Sequence, residues 1–121
     1  MEYTISPSAS GIEVRLIIEQ PLAKVNEVLS SVPAGQNQTL NKNSDTSYEL
    51  RSANALVSTV TLADQGRNTE AVIVGEAPAV SLASGQSDPT KKFARSLANT
   101  LYSKGCVSGA DLSRLMVDLS R

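Results

Sequence analysis

Residues 101–112, LYSKGCVSGADL, contain the end of one helix and the start of another. Gly105 stands where the C-terminus of a helix favours a residue in the left-handed conformation. Ser108 and Asp111 have the spacing of a capping box, in which side chains bind the free backbone N–H groups of a helix start. The stretch therefore predicts two helices joined by a tight turn, which we call the C-terminal hairpin.

Both helices of the C-terminal hairpin are predicted to be amphipathic. Val107 and Leu112 occupy the two positions of a hydrophobic staple, and Asp88-Pro89 fits the N-cap and first position of the first helix. Apolar residues recur every three or four positions in each helix, and no later element would cover the stripe of the second. We therefore expect the hairpin to self-associate or to dock a protein partner. The residues expected to make this contact are Phe93, Leu97, Leu101, Leu112, Leu115, Met116 and Leu119.

Upstream, residues 12–19 alternate between apolar and charged side chains, with Ile17 as the one exception, which predicts a strand with one buried face. Pro21 fits the first position of a short helix that ends before Pro33 and Gly35. Residues 36–45 are polar and predict a loop, flanked by a short edge strand around Thr39-Leu40. The apolar stripe of the short helix consists of Leu22, Val25, Leu29 and Val32.

The central segment predicts three further strands. Residues 46–51 and 56–62 alternate on either side of a turn, residues 64–68 form a second turn, and residues 71–74 are a continuous apolar run. Short turns between consecutive strands favour an antiparallel sheet. The predicted fold is α+β, with about four antiparallel strands, one short helix after the first strand, and the C-terminal hairpin packed on one face.

The length of 121 residues predicts a single domain. Its parts are a strand-rich part with one helix (1–76), a loop (77–88) and the helical hairpin (89–121). The chain has no histidine, which removes the commonest general base and metal ligand, so we expect no enzyme, no cofactor and no metal site of ordinary composition. No apolar run approaches a membrane span and one cysteine cannot form an internal disulfide, so we expect a cytoplasmic protein.

Charge is unevenly distributed along the chain. Residues 1–88 carry five basic and ten acidic side chains, whereas residues 89–121 carry six basic and two acidic ones. The two parts are expected to attract each other, within one chain or between chains. A basic cluster lies in the first turns of the first hairpin helix, where the helix macrodipole opposes positive charge. It consists of Lys91, Lys92 and Arg95. They indicate either an anionic partner, such as phosphate, or solvated contacts to the acidic part; we favour the second, and we do not expect nucleic-acid binding.

The glutamates of the strands and the single cysteine could each have either a catalytic role or a purely structural one. The glutamates on or beside the strands could pair as acid and base in an enzyme, but their alternation with apolar neighbours already explains them as the solvated face of the sheet. Cys106 follows Gly105 near a helix start, where a thiol can be reactive. Without a histidine as base, we favour a structural thiol. The glutamates are Glu13, Glu19, Glu49, Glu70 and Glu76.

Residues 93–119 resemble the short C-terminal, or SHOCT, domain, a two-helix module at the ends of many bacterial proteins. The resemblance implies a bacterial or phage setting and a role in self-association, with no catalytic residues. It rests on a leucine-led helix, a glycine, an aliphatic residue, a serine and an acid followed by an apolar residue. These positions are Leu97, Leu101, Gly105, Val107, Ser108, Asp111 and Leu112, continued by Leu115 and Leu119.

The order of strands and helices also resembles an abbreviated helix-grip fold, as in lipid-binding proteins of the START type. This likeness implies an alternative function, the binding of a small apolar ligand between the sheet and the long helix, with the 77–88 loop as a lid. The expected lining residues are Leu16, Ile18, Tyr48, Val60, Ile73 and Phe93.

Overall fold

The structure is a computed structural model that describes residues 1–8, 11–33, 35, 38–76 and 89–120. Within these parts of the chain, six strands and three helices form an α+β arrangement. In chain order the elements are β1 (Glu2–Ser8), β2 (Gly11–Ile18), α1 (Leu22–Leu29), β3 (Gln38–Ser44), β4 (Ser47–Ser52), β5 (Ala55–Asp64), β6 (Thr69–Gly75), α2 (Pro89–Ser103) and α3 (Gly109–Leu119).

The six strands form one antiparallel sheet in the order β1-β2-β6-β5-β4-β3. The register places Val14 opposite Ile73 and Ile73 opposite Val60, so these three side chains share one face across the centre of the sheet. All three are fully buried, because α1 and α2 cover this face. We call it the inner face and the opposite one the outer face.

The sheet has two strands more than the four that the sequence predicts. At one edge, β1 places Tyr3 and Ile5 opposite residues of β2 that belong to the inner face. At the other edge, β3 extends the short strand expected near Thr39-Leu40 to residues 38–44, most of which were expected to form a loop. Edge strands pack on one neighbour only, so a polar sequence with one inward leucine is sufficient for β3 and a proline is tolerated in β1.

The first helix is shorter than its apolar stripe suggests. Pro21 is the N-cap residue with extended backbone angles, rather than the first helical residue, and the helix ends at Leu29. Val32 lies beyond the helix but is still buried, so the connection to β3 completes the stripe. The Tyr48 hydroxyl donates a hydrogen bond to Oδ1 of Asn26, which ties β4 to α1, and burial raises the pKa of this tyrosine.

The long helix α2 is the main cover of the inner face and contacts β2, β5 and β6. Two alanines, Ala94 and Ala98, are completely buried among its larger apolar residues. Because their side chains are short, the helix backbone can approach the sheet closely. The larger buried side chains of α2 are Phe93, Leu97 and Leu101.

The first turn of α2 is held to the sheet by a buried polar contact. The hydroxyl oxygens of Ser58 on β5 and Thr90 on α2 lie 2.7 Å apart. At Gly75 on β6, a Cβ atom would lie 2.9 Å from Oγ1 of Thr90, which is closer than Cβ atoms approach other heavy atoms. Glycine at this position therefore lets α2 begin directly against β6.

The end of α2 confirms the predicted helix stop. Gly105 has a φ of +75°, in the left-handed region, and nothing lies near the position that its Cβ would take. The backbone N–H of Cys106 donates to the carbonyl of Leu101 at 2.8 Å, and that of Gly105 donates to the carbonyl of Tyr102 at 3.0 Å. This pair of hydrogen bonds is a Schellman motif.

The start of α3 confirms the predicted N-cap. Ser108 has extended backbone angles, and its hydroxyl accepts a hydrogen bond from the backbone N–H of Asp111 at 3.2 Å. The two ends of the hairpin turn are thus fixed by local hydrogen bonds. Val107 and Leu112, the predicted staple residues, are both partly buried against the core.

We expect Ser108→Ala and Gly105→Ala each to lower the free energy of unfolding by about 1 kcal/mol. The first removes the cap acceptor, and the second places a Cβ on a left-handed backbone. Urea denaturation of the purified variants measures both effects. Ser113→Ala, an exposed position inside α3, is the matched control and should leave the midpoint nearly unchanged. Wild-type midpoints for both cap variants would contradict the assignment of this boundary.

Candidate interaction surface on the C-terminal hairpin

The structure buries most of the residues predicted to make an intermolecular contact. Leu115 and Leu119 of α3 are 0% and 1% exposed, because α3 packs against α2 and against β1. In the described part of the chain, no later element covers the α3 stripe, but two earlier ones do: α2, and β1, which was not predicted from the sequence. The conclusion that the stripe is open for an intermolecular contact is therefore wrong for Leu115 and Leu119. In α2, Phe93, Leu97 and Leu101 are buried against the sheet.

Polar contacts hold α3 to β1. The Tyr3 hydroxyl donates a hydrogen bond to Oδ2 of Asp118. The α-amino group of Met1, itself almost fully buried, lies 2.7 Å from Oδ2 of Asp111. That hydrogen bond is the largest influence on Asp111 and holds the pKa of its carboxyl below the usual range, with smaller help from Ser108 and Arg114. Both helices of the hairpin are therefore held against the sheet, α2 on its inner face and α3 at β1.

An exposed apolar surface remains on the outside of the hairpin. Tyr102 and Val117 are 50% and 55% exposed, and they are the large apolar side chains that the described residues leave exposed. Gly109, Ser113 and Val117 are spaced four residues apart and so share one face of α3. The Tyr102 ring lies 3.7 Å from the position of a Cβ at Gly109, so this tyrosine adjoins the same face. We call Tyr102, Gly109, Ser113 and Val117 the hairpin surface.

The two remaining residues of the predicted contact set lie beside the hairpin surface. Leu112 and Met116 are partly buried, with part of each side chain packed against the core. On α3, Leu112 and Met116 lie between the hairpin surface and the buried stripe that faces the core. Of the seven predicted contact residues, these two keep some access to solvent, whereas Tyr102 and Val117 were absent from the prediction.

The exposed hairpin residues were missed for a physical reason. Sequence periodicity identifies the apolar stripe that faces the core, because that stripe is the strongest repeat in an amphipathic helix. Val117 interrupts this repeat, and Tyr102 follows directly after Leu101, so neither belongs to the stripe. The signal that could have identified them is a large apolar side chain at a position where the pattern calls for a polar one.

Three of the five strand glutamates, Glu13, Glu49 and Glu70, lie in surface ion pairs on the outer face. The guanidinium of Arg15 lies 3.7 Å from Glu13 and 3.4 Å from Glu70. On β4, Arg51 lies 3.2 Å from Glu49. These contacts agree with the interpretation that the glutamates solvate the outer face. In the described part of the chain, no three histidine, cysteine, aspartate or glutamate side chains are placed to hold a metal ion.

The six residues predicted to line an apolar ligand site are all part of one packed core. Each is at most 4% exposed, and their side chains fill the space between the sheet and the helices. The predicted lid, residues 77–88, lies outside the described residues. These core residues are Leu16, Ile18, Tyr48, Val60, Ile73 and Phe93.

The basic cluster and the cysteine lie at opposite ends of α2. Lys92 and Arg95 line a groove beside the first half of the helix, and Lys91 occupies a partly buried position next to them. Cys106 is buried in the turn after the helix, with its Sγ atom 3.9 Å from the carbonyl oxygen of Lys104. Burial of the thiol fits the structural interpretation of Cys106.

No protein-family model matches this chain, and neither the curated proteins nor the solved structures include a significant match. The resemblance of residues 93–119 to the SHOCT domain therefore stays a prediction. Within the parts of the chain that the structure describes, no helix has the length and apolar character needed to cross a bilayer.

We expect Asp111→Asn to reduce the change in the free energy of unfolding with pH in the acid range. Because the folded-state pKa of Asp111 is lowered, its contribution to stability is complete above the unfolded pKa of about 3.9. That contribution is lost as the pH falls through the lower folded-state pKa. Urea denaturation between neutral pH and pH 2 measures the profile. Glu27→Gln, which changes an exposed carboxylate on α1, is the control; parallel profiles for Asp111→Asn and wild type would contradict the contact.

Proposed function

We propose that this chain is a non-enzymatic interaction protein that associates with a second copy of itself through the hairpin surface. One observation carries the proposal: the exposed large apolar side chains of the described residues, Tyr102 and Val117, both lie on the C-terminal hairpin. Single exposed apolar residues are common on protein surfaces. Here the two side chains border one helix face, on which the residues between them are small.

The shape of the hairpin surface favours a helix as the contacting element. Gly109 and Ser113 have small side chains between the bulkier Tyr102 and Val117, which leaves a shallow depression along α3. Another helix can approach closely over such small residues. The contact would bury the exposed parts of Tyr102 and Val117.

A second copy fits this surface because the surface can be complementary to itself. In a two-fold dimer the same patch contacts its own copy, so residues at one end of α3 meet residues at the other end. An antiparallel crossing of two α3 helices places Val117 of one copy near Gly109 and Tyr102 of the other. No member of the hairpin surface is charged, so this arrangement brings no like charges directly together.

The expected association is weak and depends on concentration. Stable complexes bury about 800 Å² on each partner, and the hairpin surface comprises four residues. We therefore expect monomer and dimer to exchange at micromolar concentrations. The proposal includes a cytoplasmic location, which is supported by the single cysteine, Cys106, because free buried thiols are typical of reducing compartments.

We expect light scattering over a concentration series to show a rise from monomer mass toward dimer mass. Val117→Lys places a charge within the contact and should raise the dissociation constant about tenfold or more. Tyr102→Ser should weaken association in the same direction by removing apolar area.

The matched control is Thr61→Lys, which adds the same charge at an exposed position on the outer face of β5. It should associate as the wild type does. A wild-type protein that stays monomeric at high micromolar concentration would contradict the proposal. So would a Thr61→Lys variant that is weakened as much as Val117→Lys, because the contact would then lie elsewhere.

A further inference from the structure

A groove of about 570 Å³ opens between α2 and the connection from α1 to β3. One wall is the side of α2, and the other includes Pro33, Gly35 and Gln38. The Gln38 side chain accepts a hydrogen bond from the backbone N–H of Gly35 at 3.2 Å, which joins these two lining residues. The volume lies within the range of about 300–1,000 Å³ that is typical of small-molecule sites.

The α2 wall presents cationic and polar groups. Lys92, Arg95, Ser96 and Asn99 line the groove, and their spacing of three and four residues places them in one row on the helix. Lys92 and Arg95 are neighbours of like charge in the first half of the helix, where the macrodipole also opposes positive charge. A bound anion would reduce both unfavourable interactions.

The carboxylates of the described residues do not neutralise this pair. The ion pairs between side chains in those parts of the chain involve other cations, which lie on the sheet, on α1 or on α3. Lys92 is exposed and Arg95 is half-buried, so both can reach a ligand in the groove. Among the described residues, no carboxylate is paired with Lys92 or Arg95, so these two cations face the groove without an ion pair to that part of the chain.

The groove also has an apolar part. Phe93 lies between the two cations in sequence, is 4% exposed, and contributes to the lining. Met116 of α3 and Pro33 contribute further apolar surface at the two sides. A free inorganic anion would leave the accessible surface of Pro33 and Met116 in water, whereas a ligand with an attached apolar group would cover it.

We propose that this groove binds an amphipathic organic anion, with its carboxylate, phosphate or sulfonate on Lys92 and Arg95 and its apolar portion against Phe93, Met116 and Pro33. Ser96 and Asn99 can donate further hydrogen bonds to the anionic group. This site is separate from the hairpin surface, so it does not depend on the proposed self-association.

The test uses a pair of fluorescent probes with the same ring skeleton. Anilinonaphthalene sulfonate carries an anionic group, and phenylnaphthylamine is the same molecule without the sulfonate. We expect saturable binding of the sulfonate and weaker binding of the neutral probe. The double variant Lys92→Gln/Arg95→Gln should lower affinity for the sulfonate about tenfold or more and leave the neutral probe unaffected.

Two controls locate the site. Lys104→Gln removes an exposed cation of the same hairpin outside the groove and should bind the sulfonate as the wild type does. Val117→Lys alters the hairpin surface and should not weaken binding. Alkyl phosphates and alkyl carboxylates should both displace the probe, whereas inorganic phosphate at the same concentration should not.

Several results would overturn the proposal. They are the absence of saturable sulfonate binding, equal affinity for the two probes, and equal loss of affinity in Lys104→Gln and in the groove variant. Loss of probe binding in Val117→Lys alone would place the probe on the hairpin surface instead. If inorganic phosphate displaced the probe as effectively as alkyl phosphates do, this result would contradict an apolar part of the site.

Discussion

The close packing of α2 on the inner face of the sheet is the contact on which the rest of this structure depends. Ala94 and Ala98 let the helix approach, and Gly75 leaves room for the Thr90 side chain at its first turn. The buried hydrogen bond between Ser58 and Thr90 then fixes where the helix begins. A larger side chain at any of the three small positions would move the helix away from the sheet and open the core.

Both proposed surfaces follow from the position of α2. The buried side of the helix lies on the sheet, so its other flank forms a wall of the groove that contains Lys92 and Arg95. At its C-terminal end, the Schellman motif at Gly105 reverses the chain and lays α3 beside it. This reversal directs Leu115 and Leu119 inward and leaves Val117 outside.

Sequence patterns were sufficient to predict those elements whose backbone conformation is determined by neighbouring residues. The alternation in residues 12–18 and the cap residues Gly105 and Ser108 each require a particular backbone conformation. The polar sequence of the edge strand β3 predicts a loop over most of its length, because a strand with one neighbour needs little apolar surface. The strand β1 was missed, and the burial of the α3 stripe was missed with it. Part of its cover comes from β1, more than 100 positions away in the chain, and periodicity within a helix does not report such distant partners.

The candidate site was predictable only in part for the same reason. The C-terminal hairpin was correctly identified as two helices, but the side chains that repeat most regularly within it are core residues. Tyr102 and Val117 are recognised as a surface only when the packing of α3 is known. Lys92 and Arg95 were visible as a cluster in the sequence, whereas Pro33 and Met116, which give the groove its apolar part, come from distant segments.

The most direct test of the self-association account is methyl and aromatic NMR of the full chain at increasing protein concentration. Val117 lies on the hairpin surface, and Val72 and Val74 lie half-buried on the outer face of the sheet, so the valine methyl groups report on both faces in one spectrum. The account predicts concentration-dependent shifts of the Val117 methyl and Tyr102 ring signals, with those of Val72 and Val74 unchanged. Signals of Val117 and Tyr102 that do not change up to high micromolar concentration, or shifts confined to Val72 and Val74, would contradict it.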